Sequence, residues 1–488
     1  MVRVSLPVSV VIDAEVLPWL VVIEVGLLIP SIAHLLLFKS DYRVALGWLG
    51  LMLLVPFGGV LLYWLFDINR VRRAGLQVRG ASSTLPFSDL GALPLLNPDA
   101  AVQTEPLEQV GLRVTGEAPC AGNAVKVLEN GEQVFPRMLE DLAAARKEIL
   151  LASFIFDYDE LGETFVAALS EAHRRGVSVC VLVDDLGRRF RYPTVLAPLQ
   201  RAGVPVRCFM PARLLPPKLN INLRNHRKLL IIDRAIGYTG GMNISARHLV
   251  AGDRADATTD VHFRFQGPVV SHFARTFKED WLAADGPAEA LSSGASHREP
   301  DLASAARVSC RVIEDGPGER IDRLPLLIVG ALGCARRRIR LATPYFLPEE
   351  RIVGALQSAA LRGVEVAIVV PEQSNWRVID WALGHGLWKL VNVGVRVYRE
   401  PLPFSHAKYL LVDDDYALVG SANIDPRSLR LNYELNVEVF SDAVVGLLGA
   451  HFDRAKRRAA PVTLDALRSR SLPVRLRDSV AALASGYL

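Results

Sequence analysis

Asn225-His226-Arg227-Lys228-Leu229-Leu230-Ile231-Ile232-Asp233, followed by Gly240-Gly241-Met242-Asn243, decides the reading of this chain because it occurs twice. The second copy is Ser405-His406-Ala407-Lys408-Tyr409-Leu410-Leu411-Val412-Asp413, followed by Gly420-Ser421-Ala422-Asn423. Both spell H-x-K-x4-D-x6-G-[GS]-x-N. His and Lys two positions apart on a strand point to one face. The apolar run after each Lys predicts a buried strand. Gly-Gly or Gly-Ser allows close backbone approach, and the Asn adds an amide donor.

The surroundings repeat as well. Ala145-Arg146-Lys147-Glu148-Ile149 is echoed by Ala335-Arg336-Arg337-Arg338-Ile339, and Phe154-Ile155-Phe156 by Pro344-Tyr345-Phe346. Arg175-Gly176-Val177 opens the run Val179–Val183, as Arg362-Gly363-Val364 opens Val366–Val370. Each half alternates helices with short apolar runs that read as buried parallel strands. The expected architecture is α/β: two duplicated domains, 116–285 and 307–488, around one shared site. A Ser-, Gly- and Asp-rich linker over 286–306 separates them.

One imidazole, one ammonium and one amide per half suit a phosphodiester. One His attacks phosphorus and forms a phosphohistidine; the other protonates the leaving alkoxide and then activates the incoming hydroxyl. Lys228, Lys408, Asn243, Asn423 and Ser421 are the candidates for holding the non-bridging oxygens, and the scheme needs no metal or other cofactor. Each imidazole needs an orienting carboxylate on its other nitrogen. Asp260 and Glu434, downstream in the two halves, are the candidates. Asp233 and Asp413 complete the catalytic motif, with local hydrogen bonding as their expected part. The other eight histidines form no such pattern and read as surface or core residues.

Ahead of the duplication the chain is strongly apolar. Val16–Phe38 is interrupted by Glu24, Pro30 and His34, and Val44–Phe66 carries no charge over 23 residues. Each can cross about 30 Å of hydrocarbon at 1.5 Å per residue. Residues 1–76 therefore read as a two-helix transmembrane hairpin, with spans near 16–38 and 44–66. Glu24 is expected against the second helix and His34 near an interface. Arg70, Arg72 and Arg73 outweigh the loop's Lys39 and Arg43, so both the N-terminus and the C-terminal part face the cytoplasm. Residues 77–115 read as a linker.

Composition narrows the function. The chain has 488 residues, of which 50% are hydrophobic and 22% charged, which excludes a disordered polymer. Its net charge of +4, without a dense basic-aromatic patch, argues against nucleic acid. Five scattered cysteines without a C-x-x-C pair argue against a disulfide framework or a zinc site. The mixed apolar and basic run Met210–Arg224 suits a lipid-facing lip or an ordinary buried loop. Leu472, Leu476, Val480 and Leu483 recur at helical spacing with Arg475 and Arg477 between, which favours a packed terminal helix over a membrane-surface helix. Trp381 is expected in the core, and interfacial contacts remain open for Trp376 and Trp388.

These residues resemble the phospholipase D superfamily and, within it, the bacterial cardiolipin synthases. The resemblance covers nearly the whole chain. Besides the two motifs it rests on Trp48, Pro56, Gly59 and Tyr63-Trp64-Leu65-Phe66 in the hairpin, and on Thr343-Pro344-Tyr345-Phe346. It continues through Gly420-Ser421-Ala422-Asn423-Ile424-Asp425-Pro426-Arg427-Ser428 to Asn432-Tyr433-Glu434. It implies transfer of a phosphatidyl group between two phosphatidylglycerol molecules, giving cardiolipin and glycerol, in the bacterial inner membrane. It also implies His226 as nucleophile and His406 as acid/base, a symmetry the residues alone leave open. Thr258-Thr259-Asp260 stands where the family usually has a Trp-Arg-Asp run, so the aspartate is kept and the arginine is absent. The same pocket could serve hydrolysis of phospholipid or nucleic acid; the hairpin favours lipid. Two intact motifs argue against a decayed scaffold. The oligomeric state stays open, a homo-oligomer included.

Overall fold

The computed structural model describes residues 17–38, 42–66, 106–211, 223–252, 254–291, 308–317 and 322–483. The loop residues Lys39, Ser40 and Asp41, the basic flank Arg70–Arg73, most of the 77–115 linker, residues 212–222 of the apolar-basic run and 292–306 of the inter-domain linker lie outside them. The chain divides into two compact units, Met1–Ala74 and Gly75–Leu488.

In the first unit, α1 (Leu17–Phe38) contains Pro18–Phe38, which is long and apolar enough to cross a membrane, with a mean hydropathy of 2.3. The second apolar stretch is not one helix, as the sequence suggested, but two: α2 (Tyr42–Leu54) and α3 (Gly58–Phe66). Pro56 brings no amide hydrogen to the ladder, and Phe57 adopts φ 55°, so the helix breaks there. Gly59 lets the two pieces pack closely, since a Cβ there would strike the Leu51 carbonyl. His34 and Tyr63 meet through Nδ1 and Oη at 2.7 Å, and Trp64 Nε1 donates to Ser31 Oγ at 2.9 Å. Leu35, Met52, Val60 and Tyr63 form a small core, while Trp19, Val22, Leu37 and Leu54 face outward.

The second unit has eighteen strands among the described residues, sixteen in one sheet and two, β8 and β14, paired apart from it. The first half supplies β1 (Cys120–Glu129), β2 (Glu148–Ser153), β3 (Ser178–Asp184), β4 (Val206–Phe209), β5 (Arg224–Asn225), β6 (Leu229–Ile232), β7 (Ile236–Gly240), β8 (Thr258–Thr259) and β9 (Val261–Gln266). The second supplies β10 (Val308–Asp315), β11 (Arg338–Ala342), β12 (Glu365–Pro371), β13 (Arg396–Glu400), β14 (Phe404–Ser405), β15 (Tyr409–Val412), β16 (Tyr416–Gly420), β17 (Asn432–Phe440) and β18 (Ala460–Pro461). The order β4-β3-β2-β6-β7-β9-β1 in one half matches β13-β12-β11-β15-β16-β17-β10 in the other. Antiparallel pairing of β1 with β10 joins them into one sheet. Parallel pairing holds for β2–β3–β4 and β11–β12–β13; the motif strands β6 and β15 run antiparallel to their neighbours.

Helices cover the sheet: α4 (Pro106–Thr115), α5 (Asn130–Ala144), α6 (Glu160–Arg174), α7 (Val269–Ala283), α8 (Arg323–Cys334), α9 (Glu350–Leu361), α10 (Arg377–Gly386) and α11 (Leu472–Leu483). The repeated Arg-Gly-Val has a physical role. It ends α6 and α9, with Gly176 and Gly363 at φ 87° and 89°. Val177 N–H reaches back to Ala172 O, and Val364 N–H to Ala359 O, the 6→1 bond of a left-handed cap. The arginines then close other helix ends: Arg175 donates to Leu142 O of α5, and Arg362 to Leu332 O of α8. Residues 106–115, expected within the linker, form α4. Its Leu107 and Val110 pack against the core of the second half, and a Cβ at Gly111 would collide with the Arg311 guanidinium.

Candidate active site

Each motif histidine is positioned by the opposite half. β5, just before His226, pairs in parallel with the start of β17, and His226 N–H bonds Tyr433 O at 2.9 Å. β14, just before His406, pairs in parallel with β8, and His406 N–H bonds Thr259 O at 2.7 Å. The carboxylates are exchanged with the strands. His226 Nδ1 lies 2.9 and 3.1 Å from the Glu434 oxygens, and His406 Nδ1 lies 2.8 Å from Asp260 Oδ2. Asp260 and Glu434 therefore each lie against the imidazole of the other half's histidine. Lys228 Nζ donates to His226 O and Lys408 Nζ to His406 O, both at 2.7 Å. The six residues are all buried.

The electrostatics of the two dyads differ. Burial pushes the Glu434 carboxyl up, but His226, Lys228 and the Ser421 hydroxyl outweigh it and hold the group at about 2. Asp260 is raised above its ordinary value, chiefly by burial. An ionised Glu434 can only accept, so His226 carries its proton on Nδ1 and leaves Nε2 with a free lone pair. Burial lowers His226 to about 4, and His406 lies well below its ordinary value through burial, Lys408, Lys228 and His226. Burial also lowers Lys228 to about 7 and Lys408 to about 8.

Other expected site residues have different places. Asp233 accepts from the backbone N–H groups of Arg146, Lys147 and Glu148, and Asp413 from those of Arg336, Arg337 and Arg338. Each sits at φ 51° in the turn beyond its motif strand, a four-residue strand away from the Lys. Both thus fix the turn beyond the motif strand, the local hydrogen bonding expected of them. Ser421, expected at the phosphate, is fully buried and donates to Glu434 Oε2 at 2.5 Å, so it sets the carboxylate. Its counterpart Gly241 instead makes room, since a Cβ there would lie 2.6 Å from Asp260 Oδ1. Asn243 accepts from Ile155 N–H through Oδ1, which leaves its Nδ2 as the donor. Asn423 bonds the buried Asp425, and its Oδ1 is buried without a partner.

A profile of the family described as cardiolipin synthase, phospholipase D-like domain, matches residues 138–281 and 328–456. The chain belongs to the phospholipase D-like cardiolipin synthases. The major cardiolipin synthase of Bacillus subtilis is 31% identical over 94% of this chain and 96% of its own length. Cardiolipin synthase A of Pseudomonas entomophila is 31% identical over 90% of this chain and 92% of its own length. Among solved structures, phosphatidylserine synthase of Haemophilus influenzae aligns with a TM-score of 0.60 at 14% identity, covering 78% of this chain and all of that one; it speaks for the fold.

In this cardiolipin synthase three groups near the dyads had no site role in the sequence reading. Asn432 donates to Glu434 Oε1 at 3.3 Å. His248 and His262, read as ordinary histidines, are buried beside Asp260, and the His248 ring centroid lies 6.2 Å from that of His406. Aligning the repeat would have singled them out, because the second half has Ser428 and Asn436 at those positions.

Proposed function

We propose that this cardiolipin synthase transfers the phosphatidyl group of one phosphatidylglycerol to a second through His226. The exchanged pairing of His226 with Glu434 and His406 with Asp260 carries the reading. Nε2 of His226 attacks phosphorus, and the bond to the terminal glycerol oxygen breaks. His406 gives that oxygen a proton, and free glycerol leaves. The free primary hydroxyl of a second phosphatidylglycerol then loses its proton to His406 and attacks the phosphohistidine, giving cardiolipin and restoring His226. Lys228, Lys408 and Asn243 neutralise the developing charge in a water-poor pocket. The anionic phosphodiester also favours the protonated form of His406, against the burial that disfavours it.

We infer His226 as nucleophile because His226, Lys228 and Ser421 hold the Glu434 carboxyl low, whereas burial raises Asp260 behind His406. The first unit is the membrane anchor. We infer a two-span hairpin, with the second span broken at Pro56 and held to α1 by the His34–Tyr63 and Ser31–Trp64 bonds. The catalytic unit faces the cytoplasm, on the strength of Arg70, Arg72 and Arg73.

Purified protein in detergent with phosphatidylglycerol alone tests the reaction. Equimolar cardiolipin and glycerol are expected. Phosphatidic acid as sole product would replace the transferase by a phospholipase.

A further inference from the structure

The C-terminal helix α11 is amphipathic in the reverse of the usual sense. Leu472, Leu476, Val480 and Leu483 fall in one sector of about 80° at 3.6 residues per turn. They are exposed by 65%, 58%, 67% and 86%. The opposite face, carrying Asp478 and Ala481, is the buried one and packs on α10. Asp478 is satisfied there by Arg470 and Arg477, and Ser479 Oγ lies 3.1 Å from His385 Nδ1. The helix is thus held to α10 by Ala481 and Ala482 in the core and by the Ser479–His385 contact, and offers its leucines outward. Arg475 and Arg477 stand on either side of the apolar sector, roughly 100° from its centre. Arg477 also lies 4.8 Å above the Trp381 ring. Four arginines against Asp465 and Asp478 leave residues 464–483 basic. An apolar stripe flanked by arginines is the pattern of a helix lying in a lipid interface.

We propose that α11 docks the catalytic unit onto an anionic bilayer, its leucine stripe among the acyl chains and its flanking arginines at the headgroups. This rests on the reading of phosphatidylglycerol as substrate. The stripe would hold the site beside a surface where both substrates are concentrated, independently of the N-terminal helices.

The test uses the full-length protein with all four stripe residues changed to serine. On mixed phosphatidylglycerol–phosphatidylcholine vesicles, the initial rate of cardiolipin formation should fall about tenfold or more. The rate on monomeric short-chain phosphatidylglycerol and the melting temperature should not change. An unchanged vesicle rate, or equal losses on both substrates, overturns the proposal. Should that variant misfold, a nitroxide on Leu476→Cys gives a second measurement. Greater collision with oxygen than with a water-soluble nickel complex on anionic vesicles supports docking; water-like exposure there overturns it. A detergent-solubilised dimer that Leu476→Asp dissociates would assign the stripe to a second copy and overturn it as well. Absence of cardiolipin from the unaltered protein would count against the proposed reaction, while the nitroxide result would still decide the docking.

Discussion

Exchange of the orienting carboxylates between the halves makes a prediction that pairing within each half would reverse. Glu434→Gln removes the only charge on a fully buried group that receives the His226 ring, the Ser421 hydroxyl and the Asn432 amide. The amide presents N–H where an acceptor is needed, so His226 loses the tautomer that frees Nε2. A comparable carboxylate-to-amide change behind a catalytic histidine costs about 10⁴-fold in kcat. Asp260→Asn should cost about as much with phosphatidylglycerol, but for another reason: His406 can no longer deliver its proton. A substrate whose leaving group needs no proton separates the two. With phosphatidyl-p-nitrophenol, Asp260→Asn and His406→Ala should release a burst of p-nitrophenol equal to the enzyme present and leave a phosphohistidine detectable by ³¹P NMR. Glu434→Gln and His226→Ala should release none. Circular dichroism confirms that the variants are folded. A burst from Glu434→Gln together with none from Asp260→Asn would refute the exchanged assignment.

Lys228 is lowered to about 7 by burial, so its charge is present below that pH and lost above it. The kcat/KM profile of the wild type should therefore fall on the alkaline side with a midpoint near 7, and Lys228→Arg should move the fall upward because arginine keeps its proton; an unmoved limb would remove Lys228 from that role. Asp233→Ala strips three backbone N–H groups of their acceptor and leaves alanine in a left-handed turn, so denaturant unfolding should show a loss of about 2 kcal/mol. Turnover per folded molecule should hold within about threefold, and a selective collapse of kcat would return Asp233 to the catalytic set. Gly241→Ala puts a methyl 2.6 Å from an oxygen of Asp260, which Val261 N–H and His406 hold in place. About a 10²-fold drop in cardiolipin formation is expected from such a displacement, and activity near that of the wild type would show that Asp260 can yield.

The duplication was legible because it is written in residue types whose physics is local. Arg-Gly-Val marks a helix end wherever it occurs, since glycine takes the positive φ and the next N–H closes the helix. The motif aspartates were legible as turn-fixers for the same reason. Three features were not legible. The break at Pro56 hides in a stretch whose composition suits a single span, because hydropathy averages over the one residue that ends the helix. α4 hides in a Pro-, Gly- and Leu-rich region because its partner, α8, lies some 200 residues away in sequence. The bond from Ser421 to Glu434 hides because spacing shows which residues are near a pocket, not which way a hydroxyl donates.

The exchange itself was out of reach for a deeper reason. H-x-K fixes two side chains on one strand face, but the acid behind the imidazole lies 146 or 208 residues away. Only the β5–β17 and β8–β14 pairings bring it there. Those pairings also decide what the protein can be. A half taken alone would hold a histidine without its carboxylate and a carboxylate without its histidine. On the proposed mechanism, neither could then set a tautomer or form and discharge a phosphohistidine. The two halves can diverge around that shared requirement, and they have: Gly241 makes room for Asp260, whereas Ser421 donates to Glu434. The donated bond helps keep Glu434 ionised while Asp260 is raised. A symmetric fold thereby sets its two imidazoles against unequal carboxylates.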